Sequence, residues 1–424
     1  MWQDGRVSSL PYIPRRAEQM VHEALADTRV VAVNGARQVG KSTLVKAVLR
    51  SYPGSTARSL DVATERQAAL SDPTRFVRHD GLLAIDEVQR VPELVLSIKA
   101  AVDADPRPGQ FLLTGSARLL GLRNLPDALV GRMETIELWP FSQGEIDGRD
   151  ERFIDRVVDD EWAAALPGER SLGTESRDGY IERALRGGFP EAVRRTAGRR
   201  AKFFDAYVDD LIGRDVTQLA EIERRTELRR LLRLLAGSMA QPLNVERIAS
   251  EVGLPATTTE RYISLLEEVF LIKRVDGWAS SATGRAVRLR KVIFVDTGLA
   301  ANLCGLTEAR LRRTDSLVGP LIENFAIGEL ARQLTWAQTR AQLFHYRTKE
   351  HVEVDAVLEA ADGRLVGVEV KAAETVHRRD FAGLRHLQSR LGDRVHFGLV
   401  LYAGTTVASF GERLAAAPID LLWQ

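Results

Sequence analysis

A predicted strand that runs into a glycine-containing loop and then into a helix constrains this chain more than any other feature. Residues 29–43 read RVVAVNGARQVGKST. The apolar, β-branched run before Gly35 predicts a buried strand, and the apolar spacing after Lys41 predicts a helix that continues through Val48. Two glycines, a lysine and a serine at this spacing form the pattern of a phosphate-binding loop. The sequence therefore predicts an α/β domain whose parallel sheet carries a phosphate site.

Each residue type in this loop has a physical task. Gly35 and Gly40 allow a tight turn whose N–H groups face an anion, together with the N-terminus of the helix. Lys41 would neutralise the β- and γ-phosphate oxygens, and Ser42 would hold Mg²⁺. We therefore predict that ATP and Mg²⁺ bind here, although no base-reading motif separates ATP from GTP. The predicted binding residues of the loop are Gly35, Ala36, Arg37, Gln38, Val39, Gly40, Lys41, Ser42 and Thr43.

Two more buried strands end in polar residues. Residues 82–85 (LLAI) precede Asp86 and Glu87, which places two carboxylates where parallel sheets bind ligands. Asp86 would bind Mg²⁺ and Glu87 would act as the general base on the attacking water. Residues 111–114 (FLLT) lead to Ser116, which would sense the γ-phosphate. A helix cap at Asp86 and a simple turn at Ser116 are the structural alternatives.

An arginine from a neighbouring subunit often stabilises the negative charge that develops on a transferred phosphoryl group. Arg118 and Arg132 are the candidates in this chain. We choose Arg132, which stands just before the strand-like residues 133–138. The alternative is an ordinary surface arginine at the start of a strand.

Several motifs occur in a fixed order along the chain: GARQVGKST, LLAIDEVQ, FLLTGSARLL, ALVGRMETIELWPFS and GGFPEAV. This order resembles prokaryotic AAA-type ATPases that carry a C-terminal domain of unknown function. The resemblance covers most of the chain, and the phosphate loop is its most specific part. It implies an AAA-like core, a winged-helix segment and a nuclease-like end. By analogy with other AAA proteins, an Arg132 that acts in trans would also imply a homo-oligomer.

The residue patterns and the domains that the resemblance implies together divide the chain into four parts. We expect a P-loop ATPase core over residues 1–145, a helical lid or connector over 146–225, a winged-helix domain over 226–295 and an α/β restriction-endonuclease-like domain over 296–424. The irregular, turn-rich stretch between residues 145 and 178 sets the first boundary.

A helix-turn-helix pattern lies in the third part. Residues 243–249 predict a short helix, residues 253–255 (GLP) a turn, and Thr257 a helix cap with Glu260 three positions later. A strand and the basic segment 273–291 follow, and Arg261 lies early in the second helix. This arrangement suits contact with DNA or RNA. Winged helices that bind only proteins, and basic stretches that are merely solvated, are the alternatives.

Residues 343–371 predict a β-hairpin around the three-residue loop 361–363 (ADG). With that loop, Asp355 pairs with Glu369 and Glu353 pairs with Lys371. All four polar residues then share one face. Val354, Val368 and Val370 are expected on the opposite, apolar face.

The spacing of Asp355 and the later Glu369-Val370-Lys371 resembles the restriction-endonuclease fold. The resemblance implies that Asp355 and Glu369 bind Mg²⁺ and that Lys371 orients or activates the water that attacks a phosphodiester. Glu323, on a predicted apolar helix, matches the acid that many members place on the preceding helix. The alternative is an ordinary cross-strand Glu–Lys pair in a domain that has kept the fold without cleavage.

Composition limits the classes of protein to which this chain can belong. The 59 basic and 58 acidic residues nearly balance, so any nucleic-acid surface must be local. The single cysteine, Cys304, excludes a disulfide framework, and the absence of a long apolar run predicts a cytoplasmic protein without a membrane partner. Our leading hypothesis is an AAA-type ATPase that acts on or near nucleic acid. The rivals are an ATP-dependent switch that binds a protein through an inactive nuclease-like domain, and a DNA-binding regulator.

Overall fold

The computed structural model describes residues 12–116, 129–159, 170–215, 225–286 and 289–424. Arg118, one of the two candidate arginines, and Arg288, in the basic segment, lie outside these ranges. Among the helices within the described ranges, none combines the length and apolar character that a bilayer crossing requires.

Five parallel strands form the sheet of the amino-terminal domain, in the order β2-β3-β4-β1-β5. The strands are β1 (Val30–Asn34), β2 (Thr56–Ser59), β3 (Leu83–Asp86), β4 (Phe111–Gly115) and β5 (Met133–Glu137). The helices around them are α1 (Arg16–Asp27), α2 (Lys41–Leu49), α3 (Ala63–Ser71), α4 (Pro73–Phe76) and α5 (Leu94–Ala104).

This sheet is covered on both faces, which explains why its strands are continuous apolar runs. Along β1, Val31 and Val33 pack toward α1 and α2, whereas Val30 and Ala32 pack toward α3 and α5. The strand, loop and helix predicted at residues 29–48 are confirmed, as are the buried strands that lead to Asp86 and Ser116.

Helices make up most of the next part of the chain. They are α6 (Gln143–Asp147), α7 (Phe153–Val158), α8 (Arg177–Arg186), α9 (Pro190–Val193), α10 (Ala197–Asp210) and α11 (Arg225–Gly237), with the short strand β6 (Arg170–Ser171) between α7 and α8. Leu228, Leu231, Leu232 and Leu235 are buried along one side of α11. These buried leucines form an apolar stripe along the helix, as the helical spacing of the sequence predicts.

A helix-turn-helix arrangement follows α11. Helix α12 (Val245–Val252) is capped by the Asn244 side chain and ends at Gly253, whose φ of 81° is left-handed. Helix α13 (Ala256–Glu268) begins directly after Pro255, so Thr257 lies inside the helix and the predicted Thr257 cap is wrong. Proline presets the backbone for a helix start and needs no capping side chain at the next residue.

The second sheet has nine strands, in the order β6-β13-β14-β12-β11-β10-β9-β7-β8. Its remaining strands are β7 (Ile272–Gly277), β8 (Lys291–Phe294), β9 (Ala341–Arg347), β10 (Glu353–Ala360), β11 (Leu365–Lys371), β12 (Val395–Tyr402), β13 (Thr406–Gly411) and β14 (Leu414–Pro418). The associated helices are α14 (Ala282–Ala286), α15 (Thr297–Leu303), α16 (Glu308–Leu311), α17 (Val318–Gln333) and α18 (Ala382–Leu391). Strands β7 and β8, assigned from the sequence to the winged-helix part, thus extend the sheet of the C-terminal part.

The predicted hairpin between β10 and β11 has the expected register. Ala356 pairs with Val368, and Ala360 N–H donates to the Arg364 carbonyl across the loop at 2.9 Å. The prediction that Val354 shares a face with Val368 and Val370 is wrong. An irregularity in the β9–β10 ladder between Val354 and Val357 turns Val354 toward α18. Val368 instead packs in the core cluster that includes α17. A bulge reverses the alternation of side chains, and the hairpin loop alone does not reveal it.

A layer of buried charges joins the two halves of the molecule at α6. Gln143 N–H donates to the Glu329 carboxylate of α17 at 3.1 Å. Glu151 accepts from Ser142 Oγ at 2.6 Å and from Gly144 N–H at 3.0 Å. Burial, and then the charge of Glu329, raises the pKa of Glu151 to about 8. Glu151 therefore holds a proton in the folded protein across a pH range in which the unfolded chain would release it.

Replacing Glu151 with glutamine tests this arrangement. The carboxyl group has an ordinary pKa of 4.5 and a folded-state pKa of about 8, so wild-type stability falls as the pH rises from about 4.5 to about 8. Glu151→Gln removes this loss of stability. We expect its free energy of unfolding to exceed that of wild type by about 1–3 kcal/mol at pH 8 and to be close to that of wild type at pH 5. Thermal unfolding midpoints at both pH values measure the difference.

Glu412→Gln is the matched control, because the Glu412 side chain is 91% exposed. Its midpoint should follow that of wild type at both pH values. An equal effect of Glu151→Gln at pH 5 and pH 8 would contradict the raised pKa.

Candidate functional site

The loop between β1 and α2 has the conformation that its glycines predict. Gly40 adopts φ 102°, a left-handed backbone conformation that side chains disfavour, and it directly precedes α2. A Cβ on Gly35 would lie 2.3 Å from the Leu138 carbonyl oxygen, so only glycine fits that position. The loop is thus held against the end of β5 and opens toward the N-terminus of α2, where N–H groups attract anions.

Lys41 is buried, with only 5% of its surface exposed. Its ammonium donates to the carbonyl oxygens of Gly35 at 2.9 Å and Ala36 at 3.0 Å. The side chain therefore folds back across the loop, with its charge at the position where phosphate oxygens would replace carbonyl oxygens as acceptors.

Ser42 and Asp86 come together across the gap between α2 and β3. Ser42 Oγ donates to Asp86 Oδ2 at 3.0 Å, and Thr114 at the end of β4 also donates its hydroxyl to Asp86. A hydroxyl and a carboxylate are the oxygen ligands that Mg²⁺ prefers. These two predicted residues fit a magnesium ion that is shared with phosphate oxygens.

Glu87 is held in an unusual backbone conformation beside them, with φ 56°. Its N–H donates to Thr114 Oγ1 at 3.2 Å, and its carboxylate accepts from Ser116 Oγ at 3.2 Å. Gln89, which the sequence analysis did not identify, donates hydrogen bonds from its side chain to both Glu87 and Ser116. Left-handed backbone at a residue other than glycine is costly and is found preferentially at functional sites.

A cavity of about 650 Å³ lies over the loop. Of the predicted residues, it is lined by Gln38, Gly40, Lys41, Ser42, Thr43 and Glu87. It also takes in residues that the sequence analysis missed: Tyr12 and Ile13 before α1, and Pro190, Arg194 and Arg195 in and after α9. The motif GGFPEAV, used above only for the family resemblance, leads directly into these two arginines.

Arg15 also lines the cavity and is a further residue that the sequence analysis missed. The residue is buried, and its guanidinium donates to the carbonyl oxygen of Val39 at 3.1 Å and to Glu145 Oε1 at 3.1 Å. Glu145 belongs to α6, so one buried ion pair ties the nucleotide loop to the helix that meets the C-terminal half.

Arg132 lies at the amino-terminal ends of the parallel strands, whereas the loop lies at their carboxyl ends. It precedes Met133, which pairs with Val30 at the start of β1, so the length of a five-residue strand, about 13 Å, separates it from the loop. Its guanidinium forms an ion pair with Asp103 at 2.5 Å. Arg132 therefore does not reach the nucleotide loop of its own chain, and a trans role stays a prediction.

In the described part of the basic segment 273–291, most of the basic residues pair with acids of the same chain. Arg274 pairs with Glu260 and Glu267, Arg285 with Glu359, and Arg290 with Asp276. Lys273 lies over the Trp139 ring at 5.2 Å. The excess of positive charge that the sequence suggested is thus much smaller on the described surface, because acids from other elements fold against it.

Asp355 and Glu369 lie close together at the end of the hairpin, whereas Glu353 faces Arg347 and Lys291 and has no contact with Lys371 in the described ranges. Lys371 Nζ donates to Glu369 Oε1 at 2.6 Å, and Asp355 Oδ2 accepts from Val370 N–H at 2.9 Å. Burial, and then the charge of Asp355, raises the pKa of Glu369 to about 7. Glu323 on α17 also joins this group, but through Lys291 of β8, whose Nζ lies 2.6 Å from Glu323 Oε1.

The metal site predicted at Asp355 and Glu369 stays a prediction. Across the ranges that the structure describes, no group of three or more His, Cys, Asp or Glu side chains has an arrangement that would hold a metal ion. Asp355 lies 3.7 Å from the ammonium group of Lys291, and Glu369 lies 2.6 Å from that of Lys371.

Three segments of the chain match known family models. Residues 27–147 match a model described as an AAA domain. The amino-terminal domain is of the AAA type. Residues 177–310 match the domain of unknown function DUF8612, and residues 318–422 match the domain of unknown function DUF4143. The first of these two segments spans both the helical connector and the winged-helix part that we separated at residue 225.

Relatives exist over most of the length. Uncharacterized proteins of Mycobacterium tuberculosis and Mycobacterium bovis are each 27% identical over 424 residues, which covers 98% of this chain and 86% of theirs. An uncharacterized protein of Haemophilus influenzae is 23% identical over 311 residues, covering 70% of this chain and 67% of its own.

Solved structures give weaker likenesses. A Walker-type ATPase of Pyrococcus abyssi is 16% identical, with 69% of this chain and 96% of that chain covered and a TM-score of 0.39. The RuvB Holliday junction branch migration motor of Thermotoga maritima is 18% identical, with 72% and 95% covered and a TM-score of 0.31. Scores this low do not establish a shared arrangement of domains.

Two glycine substitutions test the loop conformation. Gly40→Ala and Gly54→Ala both place a side chain on left-handed backbone, with φ 102° and 81°, and neither new Cβ meets an atom closer than 3.7 Å. We expect each to lose about 1–2 kcal/mol of stability from backbone strain. Only Gly40→Ala should also lose ATP affinity, because only Gly40 aims the loop N–H groups at the phosphates.

Thermal unfolding and binding of a fluorescent ATP analogue measure the two effects. Equal nucleotide affinity in both variants would show that the Gly40 conformation is not needed for binding.

Proposed function

We propose that this protein binds ATP with Mg²⁺ and hydrolyses it at the loop between β1 and α2. The observation that carries the proposal is the contact of Ser42 with Asp86 at 3.0 Å, with Glu87 beside them and Lys41 at the same cavity. Two separate elements, α2 and the end of β3, thus bring a metal-binding pair, a general base and a phosphate-binding cation to one place.

Each residue has a role that follows from its position. Lys41 exchanges its carbonyl acceptors for β- and γ-phosphate oxygens, and the loop N–H groups bind the same oxygens. Ser42 and Asp86 hold Mg²⁺, which neutralises charge that builds up on the phosphates. Glu87 accepts the proton of the attacking water, and Ser116 with Gln89 fixes the direction of its carboxylate.

Two substitutions separate binding from chemistry. Lys41→Ala should lower kcat/KM for ATP by at least about 100-fold, because it removes a charge that stabilises the transition state. Glu87→Gln should keep ATP binding but lower kcat by about 10²- to 10⁴-fold, because the amide cannot accept the proton. Phosphate release and nucleotide binding measured on the same preparations distinguish the two effects.

Lys46→Ala is the matched control, since Lys46 lies five residues further along α2 on its exposed side. It should hydrolyse ATP like wild type. Normal hydrolysis by Lys41→Ala and Glu87→Gln would exclude this site.

Arg194 and Arg195 are proposed to contact the nucleotide from the same chain. Both line the cavity, and Arg195 is held near it by Glu191 at 2.7 Å and by the Phe203 ring at 4.9 Å. A guanidinium at this position can exchange a carboxylate for a phosphate oxygen. Contacts of Arg194 and Arg195 with the γ-phosphate would thereby make the positions of α9 and α10 depend on whether ATP is bound.

Arg194→Ala and Arg195→Ala test this role. A charge-assisted hydrogen bond to the γ-phosphate is worth about 1.5–3 kcal/mol, so each variant should weaken ATP binding by about 10-fold or more relative to ADP binding. Arg199→Ala on α10 is the control, because Arg199 is exposed and does not line the cavity. Equal losses for ATP and ADP would argue against contact with the γ-phosphate.

For the C-terminal half we favour a nucleotide-dependent switch over direct action on nucleic acid. The observation behind this preference is that Arg274, Arg285 and Arg290 pair with acids of the same chain, which reduces the charge that the described part of segment 273–291 offers to a phosphate backbone. An oligomer in which Arg132 acts in trans is compatible with this function, provided that the Asp103 ion pair opens at the subunit contact.

A further inference from the structure

Lys291 occupies the centre of the C-terminal acidic cluster, which consists of Glu323, Glu353, Asp355 and Glu369. Its side chain is fully buried. Its Nζ lies 2.6 Å from Glu323 Oε1, 3.5 Å from Glu353 Oε1 and 3.7 Å from Asp355 Oδ1. One ammonium group therefore faces three carboxylates that come from two different elements, α17 and β10.

The surroundings keep this ammonium charged. Burial alone would lower the pKa of Lys291, but the charges of Glu323 and Asp355 outweigh that effect and raise the pKa above its ordinary value. A buried charge without partners is too costly to persist, whereas one surrounded by carboxylates is held in place. Lys291 is thus a fixed cation within the fold.

The same atoms would be needed to bind a divalent metal ion. Mg²⁺ requires several oxygen ligands at about 2.0–2.1 Å in near-octahedral geometry. Asp355 Oδ2 is engaged by Val370 N–H at 2.9 Å, and Glu369 Oε1 by Lys371 at 2.6 Å. Glu369 Oε2 is buried, and within the described ranges no hydrogen-bond partner reaches it. Asp355 Oδ1 lies 3.7 Å from Lys291 Nζ, so the carboxylate oxygens of this cluster stand beside two ammonium groups, which repel a divalent cation.

We propose that Lys291 takes the place of the metal ion at this nuclease-like site and excludes divalent cations from it. The acidic cluster would then stabilise the contact between β8, α17 and the β10–β11 hairpin instead of cleaving phosphodiesters. The proposal concerns the C-terminal half and holds whether or not the amino-terminal domain hydrolyses ATP.

Mn²⁺ binding to the full-length chain tests the proposal directly. Asp86→Asn in the parent protein removes the other candidate metal ligand, and free Mn²⁺ is followed by electron paramagnetic resonance without nucleotide. The parent should bind no Mn²⁺ tightly. Lys291→Met removes the charge but keeps a long apolar stem, and it should bind one Mn²⁺ per chain at least 10-fold more tightly than the parent.

Two controls accompany this variant. Lys291→Arg keeps the cation and should behave like the parent. Lys349→Met removes an exposed lysine from the connection between β9 and β10 and should also behave like the parent. The gain in Lys291→Met should disappear when Asp355→Asn is added.

Two results would overturn the proposal. One is a parent that binds a Mn²⁺ ion and loses it with Asp355→Asn alone. The other is a Lys291→Met protein that has the circular dichroism spectrum of the parent and binds Mn²⁺ no better.

A measurement on the wild-type protein covers the case in which Lys291→Met does not fold. Acetic anhydride labels accessible amines, and mass spectrometry assigns the labelled lysines. Lys291 should remain unlabelled in the native protein while Lys349 is labelled, and both should be labelled in urea. Equal rates for the two lysines in the native protein would overturn the proposal as well.

Discussion

The layer of buried charges around α6 is the constraint on which the rest of the structure depends. Arg15 connects the Val39 carbonyl of the nucleotide loop to Glu145, and Glu329 of α17 accepts from the backbone of the same helix. A buried charge that loses its partner costs several kcal/mol. Arg15, Val39 and Glu145 belong to the amino-terminal part, whereas the hydrogen bond from Gln143 N–H to Glu329 joins α6 to α17. Glu329 therefore keeps this backbone partner only while the two halves are docked, and α6 links that contact to the nucleotide loop through Arg15.

The cavity is completed by parts of the chain that are distant from the loop in sequence. The end of the parallel sheet supplies only the phosphate side, through Lys41, Ser42 and Glu87. The rest of the wall includes Ile13, before α1, and Pro190, at the start of α9. Neither residue is close to the loop in sequence, so tertiary packing brings both of them to it.

Sequence patterns predicted the parts of the site that depend on local geometry. The loop at 35–43 and the hairpin loop at 361–363 follow from residue spacing and turn chemistry, which act over a few residues. The bulge that turns Val354 lies on β10 where it pairs with β9, and the spacing of the β10–β11 hairpin does not reveal that pairing. Lys291 and Arg15 were missed for a related reason: each looks like one more basic residue until tertiary packing surrounds it with acids.

Strand β8 connects the nucleotide cavity to the acidic cluster. Lys291 opens the strand, and Asp296 follows its end, where the carboxylate accepts from Gly188 N–H at 2.6 Å and from Leu299 N–H at 2.8 Å. Gly188 stands two residues before Pro190, which lines the cavity. Any displacement of α9 must therefore either carry Asp296 with it or break a hydrogen bond to a buried carboxylate. The second outcome leaves the buried carboxylate with one hydrogen bond fewer, so the first costs less.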